Sequence, residues 1–146
     1  MKRISSKQLS FSIAQLMPHI IQGVHLRFLV KNAVTQTQFL VLIAIHSRGR
    51  CPMTLLAKNL HVSLPTISGI VDRLVKSGQV KRLSDQQDRR QVLIELSPKG
   101  KAMIAQFQQA ISTRWEEILE ILDPQDRKDF DRIIKKLNSG FLKGRL

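Results

Sequence analysis

Tyrosine is absent from the 146-residue chain, so no tyrosine-lined phenol site can be built from it. Cys51 is the only cysteine, which excludes an intramolecular disulfide and fits a reducing compartment. Glycine and proline number 7 and 5, too few for a fibrous repeat or a long disordered tract. The longest apolar run, Phe39 to Ile45, is far too short to span a bilayer. Met1-Lys2-Arg3 resembles the start of a signal peptide, but Ser5, Ser6, Lys7, Gln8 and Ser10 interrupt any apolar stretch after it. A soluble, cytoplasmic protein is expected, and 146 residues suit one domain able to bury a core without metals or disulfides.

Acidic residues are also scarce. Eleven Asp and Glu face 24 Lys and Arg, a formal net charge of +13. A surplus this large on so short a chain points to a polyanionic partner. It is unevenly spread. Residues 1–47 carry five basic groups and no acid, residues 48–101 carry eleven and four, and residues 102–146 carry eight and seven. That gradient separates a polyanion-binding region from a C-terminal assembly region.

Chemistry that would make an enzyme does not converge. No phosphate-cradling glycine loop and no nucleophile–base spacing is recognisable. His19 and His25 stand six apart, about 120 degrees out of line on a helix, and His46 and His61 sit at helix ends. One cysteine with scattered histidines is no structural zinc site, and no cofactor is called for. Arg48 and Arg50 flank Cys51 and can lower its pKa, yet a structural or incidental thiol is the better reading.

Leu9, Ile13, Leu16, Ile20, Val24 and Phe28 recur at steps of three and four, which predicts a helix over 6–31 with a bend or break at Pro18. Thr35 with Gln38 makes a capping box for a second helix, which Gly49 ends. Residues 54–60 read as a third helix. After the tight His61-Val62 connection, Ser63 caps a fourth over 64–77, ended by Gly78. Two short helices joined in this way form a helix-turn-helix. Residues 80–83 and 91–96 read as strands around the polar segment 84–90, a hairpin of the kind called a wing. Ser97-Pro98 opens a long helix to about 122, and Asp123-Pro124 opens a last one to about 139. Gly140 and Gly144 punctuate a basic tail.

On the fourth helix, Ile70, Val71 and Leu74 fall within about 60 degrees of Ile67, and Val75 at about 80, so that side should pack inward. Pro65, Gly69, Asp72 and Lys76 point away, flanked by Thr66, Ser68 and Arg73. Small residues let the N-terminal end approach base edges in a major groove. Ser63, Thr66 and Ser68 offer hydroxyls to bases or phosphates, and Arg73 can reach a guanine or a phosphate. Lys76 and Arg82 extend the cationic side.

The segment Asp88-Arg89-Arg90-Gln91-Val92-Leu93-Ile94-Glu95-Leu96-Ser97-Pro98-Lys99-Gly100 resembles the signature of the MarR family: D-x-R, three residues, an aliphatic, x-L-[ST]-x-x-G. Leu55-Leu56-Ala57 stands where that family has the first helix of its motif, and the run from Val71 to Val80 resembles its recognition-helix exit into the wing. The resemblance covers about residues 6–140. It implies a mainly α fold with a small β-wing: a winged helix-turn-helix lobe over about 35–97, flanked by dimerisation helices over about 6–31 and 98–142, in a single domain. It also implies that Arg90 enters a minor groove and that Asp88 holds the arginine or the loop. Narrow minor grooves favour arginine on physical grounds alone. Arg89 can equally touch phosphate.

The stripes Met103, Phe107, Ile111, Trp115, Ile118, Leu122 and Phe130, Ile133, Ile134, Leu137, Phe141 read as the core of a homodimer. Members of the family often bind small aromatic or lipophilic anions near the junction of such helices with the DNA-binding lobe. His19, Arg27, His46 and Trp115 are the candidate lining residues. The expectation is a dimeric transcription regulator, a ligand-responsive repressor of a pseudo-palindromic operator in double-stranded DNA. The alternative is a winged-helix module for protein or RNA, against which the basic wing and the narrow major groove of A-form RNA both argue.

Overall fold

Side-chain caps set where most of the helices begin. In the computed structural model, which describes residues 4–142, Ser5 caps α1 (Ser6–Ile21) in a capping box with Gln8. Thr35 caps α3 (Gln36–Arg48) in a second box with Gln38. Ser63 caps α5 (Leu64–Lys76) and Ser97 caps α6 (Pro98–Leu119). The Asp123 carboxylate accepts from the Asp126 N–H at 2.8 Å, opening α7 (Pro124–Leu142). Each cap satisfies backbone donors that the first helical turn leaves without partners. Met1-Lys2-Arg3 and the end of the basic tail with Gly144 lie outside the described residues.

The helix expected over 6–31, with a bend or break at Pro18, is two helices, and the break is not at Pro18. Pro18 sits within α1, and the break comes one turn later, at Gly23, before α2 (Val24–Lys31). Proline removes only its own bond to the carbonyl of Ala14, and α1 continues past it. At Gly23 the backbone turns to φ 82, a left-handed conformation that ends the helix.

The short helix α4 (Met53–Asn59) meets α5 through residues 60–63. His61 takes φ 52 there, and the N–H of Val62 returns to the carbonyl of Ala57 at 3.1 Å. The sheet has order β1-β3-β2 and is antiparallel throughout, with β1 (Cys51–Pro52), β2 (Val80–Ser84) and β3 (Val92–Leu96). Cys51 pairs with Ile94, which binds β1 to the wing hairpin.

The core lies where these elements converge. Phe39, Val41, Leu42 and Ile45 of α3, Leu56 of α4, Ile67, Val71 and Leu74 of α5 and Ile94 of β3 are fully buried. Each such side chain contributes about 1.5–3 kcal/mol by leaving water. Phe28 and Phe107 extend the core, with ring centroids 5.5 and 4.6 Å from Phe39. The helix-turn-helix is thus fixed from behind by α3, leaving the other face of α5 to solvent. Helices α1 and α7 differ. Leu9, Ile13 and Leu16 of α1, and Ile133, Ile134, Leu137 and Phe141 of α7, are exposed in the single chain.

Candidate nucleic-acid interface

Ser63 and Thr66 begin the exposed face of α5. The Ser63 Oγ accepts from the Thr66 N–H at 3.2 Å, and their hydroxyls lie 2.7 Å apart. Ile67, Ile70, Val71 and Leu74 are buried, and Pro65, Thr66, Asp72, Arg73 and Lys76 are exposed. Ser68 and Gly69 are half-buried, nearer the lobe than a helical projection places them. Val75, expected to pack inward, is 37% exposed because it stands at the margin of the apolar arc. The Arg73 Nε donates to the Gly69 carbonyl at 3.2 Å, which lays its guanidinium back along the helix. Gly69 leaves open space beneath it: an added Cβ would stand 4.0 Å from the guanidinium.

The wing follows from the pairing of β2 with β3, from Val80 opposite Leu96 to Ser84 opposite Val92. Two aspartates shape its loop. Asp85 accepts from the Gln87 N–H at 2.9 Å, and Asp88 accepts from the Arg90 N–H at 3.0 Å. Asp88 therefore holds the backbone at Arg90 and not the guanidinium. Arg89 and Arg90 are exposed at the tip and enter no ion pair among the described residues. Arg82 behaves differently. Its Nη2 lies 2.7 Å from the Asp72 Oδ1, so it ties β2 to α5 instead of standing free as a phosphate ligand.

The start of α6 is clamped onto the exit of α5. The Ser97 N–H donates to the Gln79 carbonyl at 3.0 Å, its hydroxyl donates to the Gly78 carbonyl, and the Lys99 Nζ donates to the Ser77 carbonyl at 2.8 Å. Gly100 packs so closely that an added Cβ would sit 2.1 Å from the Gln79 carbonyl oxygen. Sequence reasoning placed Ser97 and Gly100 in a signature without finding this contact, because it joins residues about twenty apart. These contacts join the start of α6 to the end of α5.

The proposed ligand residues are scattered. A cleft of about 830 Å³ opens between α2 and α6, floored by Val24, Phe28 and Ala110 and edged by Arg27, Lys31, Arg114 and Glu117. Of His19, Arg27, His46 and Trp115, only Arg27 lines it. His19 supplies its carbonyl to the Arg114 Nη2 at 3.4 Å, Trp115 packs against Phe130 at 6.1 Å, and His46 is exposed near the end of α3. The cleft's other cations, Lys31 and Arg114, were missed. Their signal was spacing: Arg27 and Lys31 are four apart, on one helical face.

Cys51 is buried, and that burial raises its thiol pKa against the smaller opposing pull of Arg48. Among the described residues no group of three or more His, Cys, Asp or Glu is placed to hold a metal ion. Among them, too, no single helix is long and apolar enough to cross a membrane.

The sequence model of the MarR family matches residues 34–92, from the start of the lobe into β3. The multiple antibiotic resistance protein MarR of Salmonella typhimurium is 31% identical over 105 residues, covering 71% of this chain and 73% of that one. YfiV of Bacillus subtilis, an HTH-type transcriptional regulator, is 28% identical over 99 residues. That alignment covers 68% of this chain and spans 62% of YfiV's length. The crystal structure of the transcriptional regulator Tm0710 from Thermotoga maritima superposes with a TM-score of 0.79, covering 94% of this chain and 96% of that one. At 23% identity it shows the shared winged-helix fold. The relatives are transcription regulators, and the mainly helical fold with its small antiparallel wing is theirs.

Proposed function

The chain belongs to the MarR family of transcriptional regulators, and from that premise we propose that it is a homodimeric repressor that reads a pseudo-palindromic operator. One observation carries the reading: the polar face of α5 and the free arginines of the wing tip lie on one chain segment, 63–90, held rigid by α3 and α6. In this reading Pro65, Thr66, Ser68, Gly69, Arg73 and Lys76 enter a major groove, while Arg90 enters the adjacent minor groove with Arg89 on phosphate. Ser63 serves first as the cap that orients Thr66.

The dimer is supported by the apolar residues that α1 and α7 leave exposed, which no monomer of this size needs at its surface. Two lobes related by a two-fold axis would place their α5 helices about one helical turn of DNA apart. Repression needs no further surface, since occupancy of the operator alone excludes other proteins. The cleft between α2 and α6 suits a small aromatic or lipophilic anion: an apolar floor beside Arg27 and Lys31, with Arg114 held by Glu117 at 2.7 Å. A ligand there would bear on α6, and through the Ser97–Gln79 clamp on the recognition helix. It would release DNA if it bound more tightly to a lobe spacing unsuited to the operator.

The test is selection from random duplexes with purified protein, then titration of the enriched duplex against salt, with light scattering for mass. Enrichment of a two-fold symmetric site is expected, with a scattering mass of about twice 16.7 kDa. Each phosphate neutralised should steepen the log–log salt slope by about 0.9. A slope near zero would sink the reading.

A further inference from the structure

An acid stands on the DNA-facing side of the recognition helix. Asp72 is the only acid of α5, and it shares a face with Gly69 and Lys76. A bare carboxylate there would repel phosphates. It is not bare, because the Arg82 guanidinium lies 2.7 Å away, with Asp72 57% and Arg82 36% exposed.

Why Arg82 reaches Asp72 follows from the strand. Side chains alternate along β2, so Arg82 falls on the same face as Val80, which is buried. Its cross-strand neighbour is Ile94, also fully buried. The Arg82 stem therefore lies over the core, and only its head emerges, beside α5. Arg73 and Lys76 of α5 and Arg89 and Arg90 of the wing are all outward and free of ion pairs among the described residues. Arg82 is the cation of this surface that is withheld.

We propose that Asp72 is a specificity-determining residue: by holding Arg82 it withdraws one cation from the phosphate-binding set and ties the wing to the recognition helix. The inference rests on the DNA-binding reading above. Both effects favour a specific site over random DNA. A phosphate contact by Arg82 would strengthen binding to every sequence alike. The tie matters only to the complex in which helix and wing must engage their grooves at the same time. Neutralising Asp72 should therefore raise affinity for all DNA and lower the ratio of operator to random affinity.

The experiment compares wild type, Asp72→Asn, Arg82→Gln and the double variant. Each binds two labelled duplexes, one enriched by the wild type from a random pool and one scrambled from it, between 50 and 400 mM salt. Asn is nearly isosteric with Asp and the site is exposed, so the fold should survive, as thermal unfolding would verify. Asp72→Asn is expected to bind the scrambled duplex about eightfold more tightly per subunit at 0.1 M salt, with the slope steeper by about 0.9 per subunit. Its operator-to-scrambled ratio should fall. Arg82→Gln, which strips the carboxylate of its partner, should weaken both duplexes. The double variant, with a neutral pair in place of a neutral pair, should return the scrambled affinity to near the wild-type value. If Asp72→Asn keeps the wild-type slope and scrambled affinity, the inference is wrong. The same follows if it loses only operator affinity at one base pair, which would make Asp72 a direct reader of cytosine. Wild type that binds neither duplex in a salt-dependent way would instead overturn the DNA reading itself.

Discussion

Replacing Gly100 by alanine should weaken both the fold and DNA binding, against the ordinary effect of alanine in a helix. Gly100 lies in the first turn of α6, where Ala would be favoured by about 1 kcal/mol on helix propensity alone. The structure reverses that sign. The new Cβ would stand 2.1 Å from the Gln79 oxygen, 3.1 Å from its carbonyl carbon and 3.3 Å from the Leu96 Cδ2. The first contact lies about an ångström inside van der Waals distance and is made with backbone, which cannot rotate away. The start of α6 must lift from residues 77–79. Overpacking of this kind costs about 1–3 kcal/mol. The bonds from Ser97 and Lys99 to the carbonyls of residues 77–79, at about 1 kcal/mol each, weaken together. Set against the propensity gain, the net loss is about 2–4 kcal/mol. Urea unfolding of wild type and Gly100→Ala measures it. Anisotropy titration of the enriched duplex, under conditions where both are folded, should also show weaker binding, since the clamp fixes the end of the recognition helix. A Gly100→Ala protein as stable as wild type would refute the close-approach argument.

Arg90→Ala should lose affinity most on operators with A·T-rich flanks, where narrow minor grooves attract arginine; unchanged operator binding by the folded variant would show the wing assignment to be wrong. Arg73→Ala should cost about 1–3 kcal/mol and relax base preference at one position per half-site, read by competition with single-base operator variants; an even loss across all sequences would move Arg73 to phosphate. Leu16→Glu or Leu137→Glu places a charge on a side chain exposed in the single chain. A monomer would tolerate it within about 0.5 kcal/mol, so a fall in light-scattering mass towards 16.7 kDa is the expected outcome, and an unchanged mass and stability would count against the proposed interface. The buried Cys51 thiol, its pKa raised by burial, should react with Ellman's reagent far more slowly in the folded protein than in urea. Because the unfolded thiol ionises first, its contribution to stability is full below the ordinary thiol range and is lost progressively as pH rises from there through the raised pKa of the folded thiol, visible as a drop in melting temperature relative to Cys51→Ala; rapid reaction of the folded protein would contradict the burial.

Local signals were legible where one short stretch of chain decides the outcome. The Thr35–Gln38 box, the caps at Ser63 and Ser97, the glycine ends at Gly49 and Gly78 and the buried arc of α5 each depend on neighbours no more than four positions apart along the chain. The break at Gly23 was misplaced to Pro18 because proline's cost in a helix is one missing bond, while glycine's left-handed turn depends on where α2 must go to reach Phe39. The Asp72–Arg82 tie and the close approach of Gly100 to Gln79 escaped for a different reason. Both are tertiary contacts, and the sequence marks their members as charged or small without saying which partner each will meet. The cleft between α2 and α6 escaped in the same way: its cations come from helices about ninety residues apart.

The charge surplus takes on a sharper meaning once the acids of the lobe are located. Residues 48–101 hold four: Asp72, Asp85, Asp88 and Glu95. Glu95 receives Arg50 at 2.9 Å beside β1, away from the wing tip. Asp85 and Asp88 spend their carboxylates on backbone N–H groups of the wing loop, which stiffens the segment that carries Arg89 and Arg90. Asp72 holds Arg82. Every acid of the lobe thus has a local partner, and two of the four serve to hold the wing loop. Apart from Leu64, Pro65 and Val75, which are partly exposed, the unpaired outward side chains from 63 to 90 are cationic or polar. Net charge alone would attract any polyanion without orientation. A wing loop braced by two aspartate–backbone bonds, with its arginines at the tip and a helix face of Thr66, Ser68 and Gly69 in the same lobe, gives that attraction an orientation, which under the proposed reading is a wide groove beside a narrow one.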